Sequence, residues 1–400
     1  MTMRISTFWM QQSTVNAMLD QQAQVSHTQL EVSTGRRILS PSDDPAGASR
    51  ALSLTHASAQ NAQYQRNIDS ANSRLGNEDQ TLSSVSDLLG RVRTLALEGQ
   101  NGTLDTGDRK NIATEIRQRL SQLVALANTK DANGEYIFAG NATKTQPFVQ
   151  SAGGVTYAGD QGQRSIAIAP GQTIATGDPG SDVFQQIPGG NGTFQIAASP
   201  TNAGTLVSGA TSVSDMSQWD GGSYQIQFTA PDQYQVVDAS NAVVSSGSYA
   251  SGDTISFRGV EIGFTGTPAA GDSYSVGPST AKDMFSTLSD IASALESPSF
   301  TPHDAAAIND RIGRAVENID RASDRIVDVR ARIGARLNTT DDQSNLNAGI
   351  GVDLKSALSK VQDTDYASAV SQLNLQMTGL QAAQAAYVKV QGLSLFNYLK

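Results

Sequence analysis

Cysteine is missing from all 400 residues, which excludes a disulfide framework and thiolate chemistry and leaves the redox compartment open. Such a chain suits a protein that stays unfolded until it leaves the cell. Histidine is nearly as scarce. His27, His56 and His303 are far apart and show no H-x₃-H spacing, so neither a metal centre nor a histidine-based catalytic site is expected. No run of 18 or more apolar residues exists, and the start Met1-Thr2-Met3-Arg4-Ile5-Ser6-Thr7-Phe8-Trp9 lacks the apolar stretch of a secretory signal. The chain is therefore expected to be cytosolic or to leave by a route that needs no cleaved signal, with no membrane partner. Basic residues are outnumbered 28 to 38, for a formal net charge of −10, so a polyphosphate chain would be repelled and nucleic acid is not an expected partner.

With 38% hydrophobic residues, the chain can bury a sizeable core in two or three domains. Between Asn61 and Val92, positions 61, 64, 68, 71, 75, 78, 82, 85, 89 and 92 are mostly apolar at unbroken 3-4 spacing, the seam of a long helix. Ser42-Asp43-Asp44-Pro45 marks its start, because Asp44 can accept from the first free N–H groups while Pro45 suits the first turn. Gly99 to Gly102 marks its end. A second helix over about Asp108–Thr129 places Ile112, Ile116, Leu120 and Leu123 on one face, antiparallel to the first. A third carries Ile308, Ile312, Ala315, Ile319, Ala322, Ile326, Val329, Ile333 and Leu337, with Glu317/Arg321 and Asp328/Arg332 expected as ion pairs of a solvated face. Seams so distant in sequence are buried only if the two chain ends pack together.

From about Ala132 to Ser279 the period changes. Tyr224–Phe228, Tyr234–Val237, Thr254–Phe257 and Val260–Phe264 alternate apolar and polar residues between Gly, Asp, Asn and Pro punctuation, the pattern of short antiparallel strands. Between Ser151 and Ser279 there are two basic residues, Arg164 and Arg258, against ten acidic ones. The expected fold is mainly α with inserted β: a long antiparallel helical bundle formed by both chain ends, a β-hairpin region, and an inserted, acidic, antiparallel β domain.

The ends are unusual in what they omit. From Ile5 to Leu30 the one formally charged side chain is Asp20, and from Ala367 to Val388 there is none. Both segments still read as helices, through Val15, Met18, Leu19, Gln22 and Val25 at one end and Tyr366, Val370, Leu373, Met377, Leu380, Gln384 and Tyr387 at the other. An exposed helix normally carries charge on its outer face, so partners are expected on both faces, in a polar but largely dry multi-subunit packing. A hydrocarbon environment fits less well, since the amides would be costly there. The simpler alternative is that the two ends pair as a coiled coil within a monomer or dimer.

Other residue groups have plain readings. Asp43-Asp44 could be a carboxylate pair for acid–base work, but adjacent carboxylates before Pro read as a helix cap. Arg36-Arg37 is either a surface pair or a pair of charges set against a neighbouring subunit. Gly189-Gly190-Asn191-Gly192 lacks the Lys and the strand–helix context of a phosphate loop and reads as turns. Trp219, Tyr224 and Tyr234 could form a stacking surface for carbohydrate on the β domain, although core packing is the commoner use. No enzymatic constellation rises above this background, and no cofactor is expected.

The run Leu30-Glu31-Val32-Ser33-Thr34-Gly35-Arg36-Arg37-Ile38-Leu39-Ser40-Pro41-Ser42-Asp43-Asp44-Pro45-Ala46-Gly47 resembles the N-terminal signature of flagellins and hook-associated proteins. Asn133-Gly134-Glu135-Tyr136-Ile137-Phe138-Ala139-Gly140, followed by Pro147-Phe148, looks like the segment typical of the hook-associated protein 3 family, and Leu380–Tyr387 with Leu393–Leu399 is similar to that family's C-terminus. The likeness covers roughly 1–150 and 280–400. Trp9 and Met10 are bulky for the start, and Thr2 before Met3 is consistent with an alternative initiator.

The resemblance implies a structural subunit of the bacterial flagellum, exported unfolded through the type III apparatus, that forms a ring between hook-associated protein 1 and the flagellin filament. It implies terminal coiled-coil segments of an inner tube at 1–40 and 366–400, a helical stalk with a hairpin region at 41–190 and 279–365, and the β domain at 191–278. The assembly interface would comprise Ile5, Phe8, Val15, Met18, Leu19, Val25, Val370, Leu373, Met377, Leu380, Tyr387, Leu393 and Phe396. The signature loop and helix cap would comprise Arg36, Arg37, Ser42, Asp43, Asp44 and Pro45. Implied partners are hook-associated protein 1, flagellin, further copies of the chain, and an export chaperone at the C-terminal segment. A filament subunit is the alternative within the family, against which Tyr136–Gly140 argues.

Overall fold

The computed structural model describes residues 7–392. Seven helices occur among them: α1 (Thr7–Thr34), α2 (Pro45–Gly99), α3 (Thr106–Ala127), α4 (Gly180–Phe184), α5 (Met284–Glu296), α6 (Pro302–Gln362) and α7 (Tyr366–Gly392). Two compact units result, one from residues up to 66 and from 343 onward, the other from 67 to 342. The division falls inside α2 and α6, near the point where the apolar seam of α2 becomes fully buried at Ile68.

In the 67–342 unit, Leu75, Leu82, Val85, Leu89 and Val92 of α2 meet Ile312, Ile319, Ile326, Val329 and Ile333 of α6 in one core. Asp105 caps α3 by accepting the Asp108 N–H at 2.8 Å. The closest helix neighbour of α3 is α5, an element absent from the expectations above although its signals are present. Asp283 accepts the Ser286 N–H at 2.6 Å as its cap, and Phe285, Leu288, Ile291, Ala292 and Leu295 form its buried stripe.

Strands fill the middle of the chain. Two short hairpins come first, β1 (Phe148–Ser151) with β2 (Gly154–Tyr157) and β3 (Ser165–Ala169) with β4 (Gln172–Ala175). β5 (Ile187–Pro188) then leads into β6 (Phe194–Ala198), β7 (Val207–Val213), β8 (Tyr224–Ala230), β9 (Gln233–Asp238), β10 (Val243–Ser248), β11 (Thr254–Phe257), β12 (Val260–Thr265) and β13 (Ser273–Pro278), and β14 (Ala281–Lys282) pairs back on β5. The order is β10-β9-β8-β13-β6 in one sheet and β11-β12-β7 in another. Alternation aims Tyr224, Ile226 and Phe228 of β8, with Val260, Ile262 and Phe264 of β12, into a second shared core. Trp219 and Tyr234 pack against that core and Tyr224 lies within it, so these rings serve packing rather than an open stacking surface.

The helical ion pairs differ from expectation, in one case because β7 covers part of α6. Glu317 pairs with Arg314 at 2.8 Å and accepts from Thr211 of β7, Arg321 pairs with Asp324, and Arg332 reaches Asp182. Arg314 also donates to the Ser208 and Gly209 carbonyls, and Asp310 is buried against Ser208. His303 meets the Gly204 carbonyl at 2.8 Å. Neither expected i,i+4 pair forms: Glu317 lies where β7 docks on α6, whereas Asp328 and Arg332 stay exposed, with Arg332 turned to Asp182 of α4.

Candidate assembly surface

The turn after α1 is held from both sides. Gly35 has φ +70°, which only glycine adopts without strain. Its carbonyl accepts the Thr364 N–H at 3.0 Å, while the Arg37 N–H donates to the Gln362 carbonyl at 2.8 Å. A Cβ on Gly35 would stand 2.8 Å from the Tyr366 hydroxyl. The Arg37 guanidinium donates to the Val361 carbonyl at 3.0 Å and to Asp44 at 3.3 Å. Arg36 is bridged to Asp363 through the backbone, with its side chain exposed. The signature run thus ties the end of α1 to the corner where α6 gives way to α7, a link that no local sequence signal announces.

Asp43 and Asp44 divide two tasks. Asp43 Oδ2 accepts the N–H groups of Leu39 and Ser40 at 3.0 and 2.7 Å, and Ser40 and Ser42 share a hydroxyl contact at 2.6 Å. Asp44 Oδ1 accepts the Gly47 N–H at 2.8 Å just beyond Pro45, the first residue of α2, which satisfies an orphan donor of the first turn. The Ser40 N–H holds the Asp43 carboxyl below the usual range, and the Gly47 N–H, helped by Arg37, does the same for Asp44. His27 stands between Glu31 at 3.3 Å and Asp43 at 3.4 Å. Among the described residues no group of three His, Cys, Asp or Glu side chains is arranged to hold a metal ion.

Helices α1 and α7 pack against each other. Val15, Met18 and Val25 of α1 are half-buried, and Leu19 stays exposed. On α7 the inward stripe is Ala369, Leu373, Gln376, Leu380, Ala383 and Tyr387. Of the stripe read from sequence, Tyr366, Val370, Met377 and Gln384 face outward; a uniform period blurs which side a helix turns to one partner when both sides are uncharged. Gly379 permits the close approach, since a Cβ there would stand 2.4 Å from Gln21 Nε2. Ile5, Leu393 and Phe396 lie outside the described residues, as does the side chain of Phe8.

The pair leaves much apolar surface open. Trp9, Leu19, Leu30, Val370, Leu375, Met377 and Val388 are large side chains on its outer faces, with Leu375 at 73% exposure. Trp9, Leu30, Leu375 and Val388 fall outside the expected interface set, because they lie off the 3-4 stripe. Scattered exposed apolar residues are ordinary, but here they occupy helices with almost no charge, and such surfaces mark interaction sites. None of the helices, among the described residues, is long and apolar enough to cross a membrane.

A helical pair made from the two chain ends, with a β domain inserted between them in the sequence, defines a flagellin-type subunit. Residues 5–143 match the bacterial flagellin N-terminal helical region, 316–399 the bacterial flagellin C-terminal helical region, and 198–278 the D2-like domain of flagellar hook-associated protein 1. The chain is 28% identical over 402 residues to flagellar hook-associated protein 3 of Escherichia coli strain K12, covering 100% of both. Among solved structures it resembles FlgL of Xanthomonas campestris, with 38% identity and TM-score 0.73 over 76% of this chain and 99% of that one. It also resembles hook-associated protein 3 of Legionella pneumophila, with 30% identity and TM-score 0.74 over 77% and 98%. The chain belongs to the flagellar hook-associated protein 3 (FlgL) family.

Proposed function

We propose that the protein is a structural, non-enzymatic subunit of the bacterial flagellum that adapts hook-associated protein 1 to the flagellin filament and assembles through its terminal helices. One observation carries the reading: the paired α1 and α7 present large apolar side chains and almost no charge on the faces they turn away from each other. In water such faces gain nothing, whereas repeated copies would bury them. The partners are the hook-associated protein 1 side, the flagellin side, and neighbouring copies in a ring. The C-terminal segment, while unfolded, suits capture by an export chaperone, and export proceeds without a cleaved signal. The assembly residues lie in segments 1–40 and 366–400, carried on a stalk of 41–190 and 279–365, with 191–278 as the inserted β domain.

Electron microscopy of flagella carrying an epitope in the loop after β9 tests the position. Label confined to one ring between hook and filament is expected. Label along the filament length would make the protein a filament subunit instead.

A further inference from the structure

Glu78 is a carboxyl with no evident assembly role. It lies on α2 and is 1% exposed. Its Oε1 accepts the Asp178 N–H at 3.0 Å, while Oε2 is buried with no hydrogen-bond partner. Asp178 is itself 2% exposed. Arg336 of α6 grips both Asp178 oxygens at 2.9 and 3.0 Å, and Gln163 donates to one of them at 2.9 Å.

Arg336 and Arg74 attract Glu78 through space, but no guanidinium hydrogen-bonds to it. Arg74, one turn earlier on α2, is engaged by Asp131 and Glu135 at 2.9 and 2.8 Å, and Arg164 adds a second contact to Glu135. Asp79 is taken by Arg330, and Asp182 by Arg325 and Arg332. Two buried carboxyls therefore share one guanidinium, and Arg336 is spent on Asp178. A buried carboxylate without its own cation keeps its proton. Burial first, and the Asp178 charge second, push the Glu78 carboxyl up to about 8.

The segment that Glu78 fastens is structurally central. The Thr176 N–H donates to the Arg164 carbonyl and the Gly180 N–H to the Phe138 carbonyl, both at 2.9 Å. A Cβ on Gly180 would stand 2.7 Å from the Phe148 ring, and Phe184 follows into the cluster with Phe138, Phe148 and Phe285. We infer that Glu78 is a proton-operated lock: protonated, it fastens the 176–180 segment between α2 and α6, and its ionisation in alkaline surroundings lets that segment open. The open form would uncover the aromatic cluster beneath the turn at 133–140.

Hydrogen exchange on the full-length protein, read as protection factors between pH 6 and 9, tests this. The linked proton makes protection at Thr176, Asp178 and Gly180 fall about tenfold per pH unit up to about pH 8 and then level off. In Glu78→Gln, which keeps a neutral acceptor for the Asp178 N–H, the same amides should show protection independent of pH. Asp178→Asn frees Arg336 and removes the neighbouring charge, so the levelling point should move to lower pH. Titration of a ¹³C-labelled Glu78 carboxyl in the unaltered chain supplies a reading that needs no variant. A midpoint near the ordinary glutamate value, or equal pH slopes in wild type and Glu78→Gln, overturns the inference.

Discussion

Helix α2 passes through two kinds of packing, and the contrast between them separates a unit with an apolar core of its own from one joined largely by polar contacts. Beyond residue 67 its seam is Ile68, buried with Ile168 and Ile174 of the β3–β4 hairpin, then Leu75, Leu82, Leu89 and Val92, buried in the core shared with α6. Before residue 67 the same helix meets α6 through amides: Asn61 Nδ2 donates to the Asn347 carbonyl at 2.8 Å and Gln65 Nε2 to Ser344 Oγ at 2.6 Å. In that unit the buried side chains among the described residues are Thr28, Ile38, Ala51, Asn347 and Ala369, while Leu52, Leu346, Ile350 and Val352 are exposed. Burial of apolar area is the dominant favourable term in folding. The 67–342 unit supplies its own, and the terminal unit leaves large apolar side chains such as Leu375 and Val352 exposed.

The largest test of that contrast is a pair of charges on α7. Leu373→Asp with Leu380→Asp should abolish incorporation at the junction, scored by motility and by microscopy of hook ends, while the melting temperature of the 67–342 unit stays within error of wild type. A matching fall in that melting temperature would show that the two units support each other. Next in size is Phe148→Ala, which empties a fully buried ring position packed on Phe184, Phe285 and Tyr157. It should cost the 67–342 unit about 3–5 kcal/mol in chemical denaturation, with no change in exchange rates along α1 and α7.

A smaller effect is expected at the corner where the end of α1 meets the junction of α6 and α7. Gly35→Ala must adopt φ +70° and also displace the Tyr366 hydroxyl, so it should cost about 1–2 kcal/mol locally. Faster trypsin cleavage at Arg36 and Arg37, with unchanged global unfolding, is the readout. The smallest effect concerns pH. Asp43 and Asp44 are held below the ordinary carboxylate range by N–H donors, so their contribution is present at neutral pH and lost as pH falls through their lowered values. Amide shifts of Leu39, Ser40 and Gly47 should move only in acid, below about pH 4. Glu78 has the opposite sign, losing its contribution toward alkaline pH, so the two ends of the pH scale loosen different units.

Much of this was legible in the residues. The limits of α2 followed from Asp44-Pro45 and Gly99, and the strands β8, β9, β11 and β12 from alternation, because caps, glycine and period act within one or two turns of chain. The outward bareness of α1 and α7 was equally plain from missing charge. What stayed hidden depends on which elements meet. α5 was missed because thirteen residues after a run of strands give too few repeats of a helical period to stand out. Glu317 looked like half of a solvated pair until β7 covered it. On α7, Leu373, Leu380 and Tyr387 face inward as their spacing suggests while Tyr366, Val370, Met377 and Gln384 face outward, because no charge distinguishes the faces.

The sequence by itself determined the classes of segment: helical ends low in charge, apolar central seams, an acidic β insertion, and the absence of thiol chemistry. Those properties are local sums over residue type and spacing. Only the tertiary structure decided that Gly35–Arg37 is strapped to Val361–Thr364, that Arg336 grips Asp178, and that Glu78 is buried beside it with one oxygen unpartnered. Each of these depends on groups 100 or more residues apart approaching within hydrogen-bond distance. The energy of a buried charge is set by the cations it can still reach, which no run of neighbouring residues specifies.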